Sequence, residues 1–382
     1  MRTPWIKDEP LARACLRNES FWNNQLEEYP LMWITAPDAN KAVPKLPDPS
    51  DINEKWTNVD LAIAHAENEL ARTYFGGDAL PVYNPWFGPD QFAAWLGCEM
   101  ELRVAQFTSW VKPFVVDWSK HQQFEIDSGN KWWRLYLKLL AASVEKGKDK
   151  WVTAYPDLHC GIDGLAAIRG HENLFIDMFS EPAMLIKPMK EMTRLFKYIF
   201  DTASDIILPG GQGTSNWTLG WSDQRFMCVG HNDVTCMISE ELFDKFCMED
   251  TRKCIEYPNV TLYHLDGPGQ IRYLERLLEI PRLNCVQWMQ GAGNPPPSQW
   301  LDMLCRIQAA GKSVQLYYVP GHGDDVNLHK EIEVLCSRLD PCRLFIRATV
   351  HSIEEADALV QHTKDVCKEK RSGYTFAPKQ SS

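Results

Sequence analysis

The feature that most constrains the fold is an alternation of short apolar runs with longer amphipathic segments from residue 78 onward. Runs rich in β-branched and aromatic residues predict strands, and eight of them occupy residues 79–84, 111–118, 151–158, 226–231, 261–267, 283–289, 313–320 and 343–350. The last four strand and helix units recur at about 25 to 35 residues, the size of a βα unit in a parallel sheet. Eight such units predict a (β/α)₈ TIM barrel. An open doubly wound sheet is the alternative, since alternation alone does not establish closure.

The ends of the chain differ from this repeating part. An amphipathic run over 51–74 without strand-like alternation predicts that residues 1–77 form an N-terminal helical extension packed on the barrel. The barrel is assigned to residues 78–372, and residues 373–382 to a tail. Ser239 and Ser352 stand where helix N-caps are expected, because a hydroxyl there can accept a hydrogen bond from a free backbone N–H.

Composition narrows the class of protein. With 45% hydrophobic and 24% charged residues, the 382-residue chain can bury a large core. A formal net charge of −11 disfavours nucleic acids and anionic membranes as partners. We find no apolar run of about 18 residues and no signal-peptide pattern, so a cytoplasmic protein is predicted. The twelve cysteines are scattered without a CxxC pair, which indicates reduced and mostly buried thiols.

Polar side chains gather where the predicted strands end, which is where barrel enzymes place their catalytic groups. Six of the ten histidines fall at or just after such an end, and histidine suits proton transfer and metal ligation at neutral pH. We assign catalysis to His231, Asp233, His264 and Asp266, and substrate contact to Asn84, Trp86, His159, Asp163, Trp217, Tyr263, Trp288 and His322.

His264 and Asp266 form the most informative pair. They lie two residues apart on a predicted strand and therefore point to the same face. They are predicted either to bind zinc or another divalent metal, or to act as an acid–base dyad; a purely structural hydrogen bond is the third interpretation. The same spacing recurs at His231 and Asp233, so the two pairs are expected to line adjacent parts of one pocket.

Three segments resemble the uroporphyrinogen decarboxylase superfamily, which also contains corrinoid-linked and cobalamin-independent methyltransferases. They are LPVYNPWFGPDQFAAWLGCEMEL, DVTCMISEELFDKFCMED and TLYHLDGPGQIRYLERLLEI. The resemblance covers residues 79 to 370 and implies a (β/α)₈ barrel enzyme. It implies methyl transfer from a small or cyclic methylated substrate, with a corrinoid protein or a thiol as acceptor and zinc as a metal at His264 and Asp266.

The chain also departs from this superfamily. The arginine-rich opening segment of the decarboxylases is absent, and Asn84 stands where they carry an aspartate. The zinc methyltransferases use H-x-C and a later cysteine, whereas His264 is followed by Asp266 and the last predicted strand reads FIRATV. A zinc site here would therefore be rich in oxygen ligands.

Other functions stay open. One is a decarboxylase of a cyclic or aromatic carboxylate. A carbohydrate-active barrel is suggested by the tryptophans and by Asp163, Asp233 and Asp266 as paired carboxylates, although no glutamate stands convincingly at a strand end. A ligand-binding barrel without catalysis is the third. The partners considered are a small-molecule substrate, a corrinoid protein and a second copy of the chain.

Overall fold

The computed structural model describes residues 8–103, 108–318 and 326–373. Within these ranges the strands are β1 (Leu31–Pro37), β2 (Thr73–Gly77), β3 (Val82–Tyr83), β4 (Glu99–Arg103), β5 (Thr108–Lys112), β6 (Val152–Tyr155), β7 (Ser215–Asn216), β8 (Phe226–Val229), β9 (Val260–Asp266), β10 (Cys285–Met289), β11 (Ser313–Tyr318) and β12 (Leu344–Thr349).

The helices surround these strands. They are α1 (Glu9–Trp22), α2 (Ile52–Thr57), α3 (Val59–Ala71), α4 (Gln91–Trp95), α5 (Lys131–Lys146), α6 (Gly161–Arg169), α7 (His171–Ser180), α8 (Pro182–Ile207), α9 (Glu240–Leu242), α10 (Met248–Ile255), α11 (Leu274–Leu278), α12 (Leu301–Ala309), α13 (Leu328–Arg338) and α14 (Ile353–Gly373). A π-helical segment, Phe243–Cys247, joins α9 to α10. None of the described helices combines the length and apolar character that crossing a bilayer requires.

Two hydrogen-bonded ladders carry the parallel strands. The larger sheet has the order β2-β1-β12-β11-β10-β9-β8, and all its neighbours are parallel except β1 and β2. The smaller sheet has the parallel order β3-β6-β7, and β7 packs against β8. Among the described residues no ladder joins β7 to β8 or β3 to β1. The predicted α/β class with a parallel central sheet is confirmed and fits a barrel-like arrangement, while closure of eight strands stays a prediction.

Most of the predicted strands are present, with shorter bounds. The six predictions over 151–158 and from 226 onward correspond to β6 and β8–β12, and the prediction over 79–84 corresponds to the two-residue β3. The prediction over 111–118 is wrong beyond Lys112, because Pro113 ends the antiparallel β4–β5 hairpin. The following backbone N–H groups of Phe114 and Val115 both donate to the carbonyl of Ile168 at the end of α6.

The N-terminal region is only partly helical. The helical prediction is wrong for residues 31–37 and 73–77, which form β1 and β2. β1 is a fully paired strand, since it lies between β2 and β12. Its run LMWITAP lacks alternation because it is buried along nearly its whole length, and such a run does not reveal its period. The domain division at residue 77 stays a prediction, and the tail beyond Gly373 lies outside the described residues.

Three smaller predictions are confirmed. The hydroxyl of Ser239 accepts from the backbone N–H of Leu242 at 3.3 Å, and that of Ser352 accepts from Glu355 at 3.2 Å, so both serines cap helices. Nine of the twelve cysteines are buried, as the sequence predicts.

A buried carboxylate fastens α1 to the sheet. Asp78 accepts from Nε of Arg17 at 2.7 Å and from the backbone N–H of Met32 at 2.9 Å. Burial raises the pKa of Asp78, and the neighbouring Arg17 partly offsets that rise. The ion pair thus joins the N-terminal helix to β1 in an environment where an unpaired charge is costly.

We expect Asp78→Ala to lower the free energy of unfolding by about 3 kcal/mol, because Arg17 and the Met32 N–H would lose their buried acceptor. Urea unfolding monitored by circular dichroism measures this. The control is Asp302→Ala, whose side chain is 97% exposed and whose loss should leave stability unchanged. Equal stability of Asp78→Ala and wild type would refute this role.

Candidate active site

Five of the residues predicted from the sequence meet around one aspartate. His159, Asp163 and Asp233 form one group of potential ligand atoms, and Asp233, His264 and Asp266 form a second, each with its atoms within 4.8 Å of one another. We call these five residues the Asp233 centre. His159 follows β6, Asp163 lies in the first turn of α6, Asp233 follows β8, and His264 and Asp266 lie at the end of β9. The carboxyl ends of parallel strands are where such a sheet exposes its functional groups.

A hydrogen-bond relay orients the imidazole of His264. Its Nδ1 lies 2.6 Å from Oε1 of Gln287, whose Nε2 donates to Oε1 of Gln315 at 2.7 Å. Nε2 of Gln315 in turn donates to the carbonyl oxygen of Thr218 at 3.2 Å. Because a carbonyl can only accept, every bond in the relay has one possible direction, and Nδ1 of His264 must carry a hydrogen. The lone pair therefore lies on Nε2, which is 3.9 Å from Oδ1 of Asp266.

Strand register brings the relay together. His264 on β9 pairs with Gln287 on β10, which pairs with Gln315 on β11. Both glutamines are almost completely buried, and their amides satisfy each other and the imidazole. Burial lowers the pKa of His264, and Asp266 only partly offsets this. The ring is neutral at physiological pH, as metal ligation requires.

His159 has the opposite electrostatic character. Its Nε2 lies 2.8 Å from Oδ2 of Asp157, and its Nδ1 lies 3.9 Å from Oδ2 of Asp163. Burial alone would lower the pKa of His159, but the attraction of Asp157 and of the aspartates in the centre raises it to about 10. His159 is therefore an imidazolium at neutral pH. Sequence reasoning missed Asp157, although an aspartate two residues before a histidine at a strand end was a usable signal.

Asp163 and Asp233 differ in their surroundings. Asp163 accepts from the backbone N–H groups of Asp233 at 2.8 Å and Val234 at 3.0 Å, so it anchors the turn after β8. Oδ1 of Asp233 is buried and lacks a hydrogen-bond partner among the described residues. Burial, followed by repulsion from Asp163, raises the pKa of Asp233 well above its ordinary value. Asp233 therefore gives up its proton less readily than an ordinary aspartate.

His231 lies outside the centre. It is fully buried, its Nε2 is 3.0 Å from Oδ2 of Asp250, and it groups with Asp250 and Cys254. A Cβ on Gly161 would come within 2.5 Å of the ring, so the close approach requires glycine. His231 and Asp233 do not share a face, because β8 ends at residue 229. Side chains two positions apart point to the same side only within a strand, and both residues lie beyond its end.

Trp217 and Gly230 adjoin His264 of the centre. The ring of Trp217 packs edge to face on His264 with centroids 5.0 Å apart. Gly230 admits both rings, since a Cβ there would lie 3.0 Å from Trp217 and 3.1 Å from His264. Nε1 of Trp217, Nε1 of Trp86 and Oδ1 of Asn84 are buried atoms without a hydrogen-bond partner in the described chain. These atoms are available to a polar ligand.

Two predicted residues, Tyr263 and Trp288, make contacts away from the centre, and a third, His322, lies outside the described residues. Tyr263 is fully buried and its hydroxyl accepts from Nδ2 of Asn232 at 3.2 Å. Trp288 is fully buried and packs on Trp300 with ring centroids 5.0 Å apart. His322 lies outside the described residues.

Comparison with known proteins gives a likeness of fold. No family model matches the chain, and no curated protein matches it. Among solved structures, a methyltransferase from Methanosarcina mazei superposes with a TM-score of 0.60, covering 94% of this chain and 99% of its own at 10% sequence identity. At that identity the likeness concerns the fold, which this chain therefore shares with a methyltransferase over almost its full length.

We expect the ring of His159 to stay protonated from its ordinary pKa of 6.5 up to about 10, and Asp157→Asn to return its pKa toward 6.5. Because the folded-state pKa is raised, the associated stabilisation is complete below pH 6.5 and is lost as pH rises through about 10. Ring ¹⁵N chemical shifts measure the titration. Asp117→Asn, at an exposed carboxylate, should leave it unchanged, and a wild-type ring that titrates near 6.5 would contradict this assignment.

Proposed function

We propose that this chain is a divergent member of the uroporphyrinogen decarboxylase superfamily, and that it transfers a methyl group at a divalent metal ion held by the Asp233 centre. The observation that carries the proposal is the lone pair on Nε2 of His264, which the relay directs toward Asp233 and Asp266. The fold shared with a methyltransferase supports the reaction class at a coarse level.

The donor set fits a cation on three counts. A neutral imidazole nitrogen and two carboxylates have potential ligand atoms within 4.8 Å of one another. The hydrogen bond from Nδ1 of His264 to Gln287 is the kind of outer contact that orients metal-binding histidines. The buried and unpartnered Oδ1 of Asp233 gains a partner when a cation binds. Zinc or another divalent ion of similar preference suits this nitrogen and oxygen set.

Each residue then has a distinct task. His264, Asp266 and Asp233 would hold the ion, which supplies Lewis acidity to a bound oxygen or nitrogen atom. A methyl group that moves to a nucleophile leaves an electron pair on the atom it departs from, and that atom requires a proton. His159, protonated beside the centre, is the donor. Trp217 packs on His264 and shields the ligand side from water.

Substrate and acceptor follow from the same argument. We infer a small or cyclic methylated substrate, bordered by Trp217 and Trp86. The acceptor is a corrinoid protein or a thiol. An oxygen-rich ligand set is less suited to holding a soft thiolate than a cysteine-rich set is, so the site favours a corrinoid as the methyl carrier.

A second function, decarboxylation of a cyclic or aromatic carboxylate, is favoured by one specific observation. The pKa values of His159 and Asp233 are both raised, so each group holds a proton more firmly than an ordinary histidine or aspartate. Loss of carbon dioxide leaves a carbanion that needs one proton, and two neighbouring donors suit that step.

We expect wild-type protein to bind Co²⁺, used as a spectroscopic substitute for zinc, in about one site per chain. The double variant His264→Ala/Asp266→Ala should lose the visible bands of bound Co²⁺. Gln287→Met should weaken binding about 10- to 100-fold, because Nδ1 of His264 loses its acceptor, whereas Gln287→Glu keeps an acceptor and should restore binding.

The matched control for this titration is Gln299→Met, at an exposed position, which should bind Co²⁺ as wild type does. Unchanged binding by the double variant would exclude the Asp233 centre as the metal site.

Metal-loaded wild type should accelerate methyl transfer from an aryl methyl ether to cob(I)alamin, which yields the phenol and methylcobalamin and is followed by absorbance. His264→Ala should reduce the rate to the uncatalysed level with an unchanged melting temperature, because the lone pair that faces the carboxylates is gone. Failure of the loaded wild type to accelerate the reaction would contradict corrinoid-linked transfer. Release of carbon dioxide from an aromatic carboxylate would favour the second function.

A further inference from the structure

We propose that the chain holds a second metal ion, zinc or another thiophilic divalent cation, at a buried site formed by His231, Asp250 and Cys254. This site shares no residue with the Asp233 centre. The inference goes beyond the proposed function and does not depend on it, because the ion would stabilise the fold and would not contact a substrate.

Two elements of the fold bring the ligand atoms together. Asp250 and Cys254 lie four residues apart on α10, so they share one face of that helix. His231 follows β8 and contacts Asp250. One atom from each residue, an imidazole nitrogen, a carboxylate oxygen and a sulfur, lies within 4.8 Å of the other two. Nitrogen, oxygen and sulfur ligands of these kinds are the ones that zinc binds in proteins.

The contact between His231 and Asp250 differs from an ordinary hydrogen bond. Nε2 of His231 lies 3.0 Å from Oδ2 of Asp250. Within the described ranges neither atom has a hydrogen-bond partner, and neither does Nδ1 of the same ring. Ligand atoms around a tetrahedral zinc ion, with bonds of about 2.0–2.2 Å, lie roughly 3 to 3.5 Å apart. A shared cation therefore accounts for a close approach that no hydrogen bond explains.

The charges of the ligands suit a position without solvent. The side chains of His231 and Cys254 are fully buried, and Asp250 is almost so. A divalent ion bound by one carboxylate and one thiolate forms a group with no net charge, which reduces the cost of burial. The thiol of Cys254 donates to Oδ1 of Asp250 at 3.9 Å, and it releases this proton when the sulfur binds the ion.

Neighbouring groups orient and enclose the ligands. The hydroxyl of Thr193 on α8 donates to Oδ1 of Asp250, so that Oδ2 faces His231. Outer hydrogen bonds of this kind hold metal-binding carboxylates in position. A Cβ on Gly161, at the start of α6, would lie 2.5 Å from the imidazole and 2.9 Å from Oδ2 of Asp250. Glycine therefore lets α6 cover the site closely.

The ion would connect the elements that position the Asp233 centre. His231 precedes Asp233 by two residues, and Gly161 precedes Asp163 by two. The ligands come from α10 and from the turn after β8, and Thr193 adds α8 through its hydrogen bond. We therefore assign the ion a structural role, which is to fix the turn that carries Asp233.

Purified protein is expected to retain this ion. A fully buried site exchanges its metal slowly, whereas the Asp233 centre is open to chelators because Asp266 is half exposed. Co²⁺ added to the purified chain therefore still measures the Asp233 centre alone.

The test measures the zinc content of the full chain by elemental analysis, after expression in zinc-supplemented medium and dialysis against EDTA. Wild type should retain about one zinc per chain. Cys254→Ser and Asp250→Asn should each lose it. The matched control Cys285→Ser, at another fully buried thiol, should retain it. The double variant His264→Ala/Asp266→Ala should also retain it, because its substitutions lie in the Asp233 centre.

X-ray absorption at the zinc edge of the dialysed wild type is a second measurement, and it requires no variant. It should show one sulfur at about 2.3 Å together with nitrogen and oxygen ligands. The five residues of the Asp233 centre include no cysteine, so zinc bound there would show nitrogen and oxygen only. The sulfur therefore identifies the buried site even where a variant fails to fold.

Three results would overturn the inference: dialysed wild type without zinc, retained zinc with no bound sulfur, or as much zinc in folded Cys254→Ser as in wild type. None of these results affects Co²⁺ binding at the Asp233 centre or methyl transfer. Failure of those two would leave the retained zinc unaffected, so the two proposals fail separately.

Discussion

The carbonyl oxygen of Thr218 determines the chemistry of the site, because it gives direction to every hydrogen bond that reaches His264. It accepts from Gln315, which forces Gln315 to accept from Gln287 and Gln287 to accept from the imidazole. A reversed amide anywhere in this buried relay would leave donors facing donors, at a cost of about 1–3 kcal/mol for each unsatisfied group. Thr218 is held in turn by Asn216, whose Oδ1 accepts from both the backbone N–H and the hydroxyl of Thr218.

The second constraint is the opposite protonation of two histidines on either side of Asp233. Asp157 keeps His159 charged although burial lowers the pKa of that ring. Burial keeps His264 neutral, because Asp266 is half exposed and 3.9 Å away and offsets only part of the decrease in pKa. Groups whose pKa values are driven apart in this way divide the acid and ligand roles between them. The side chains alone do not determine these roles; their neighbours do.

The sequence predicted those features that depend on local periodicity. β6 and β8–β12 were found because short apolar runs stand between turn residues, and His264 and Asp266 share a face because strands alternate with period two. β1 was missed because a strand buried along nearly its whole length shows no alternation. His231 separated from Asp233 because the chain leaves the strand between them. Gln287 and Gln315 could not be found, since their role exists only once three strands are in register.

The reaction class depends on which cation neutralises Asp233. Its raised pKa means that it gives up its proton less readily than an ordinary aspartate, and a protonated carboxyl group is a poor metal ligand. A divalent ion held by Asp233 would favour its carboxylate form and would leave the role of proton donor to His159, as the proposed methyl transfer requires. Without an ion, a proton on Asp233 would serve the proposed protonation of a carbanion. Metal occupancy and the acid role of Asp233 are therefore mutually exclusive, and the same five residues support one chemistry or the other.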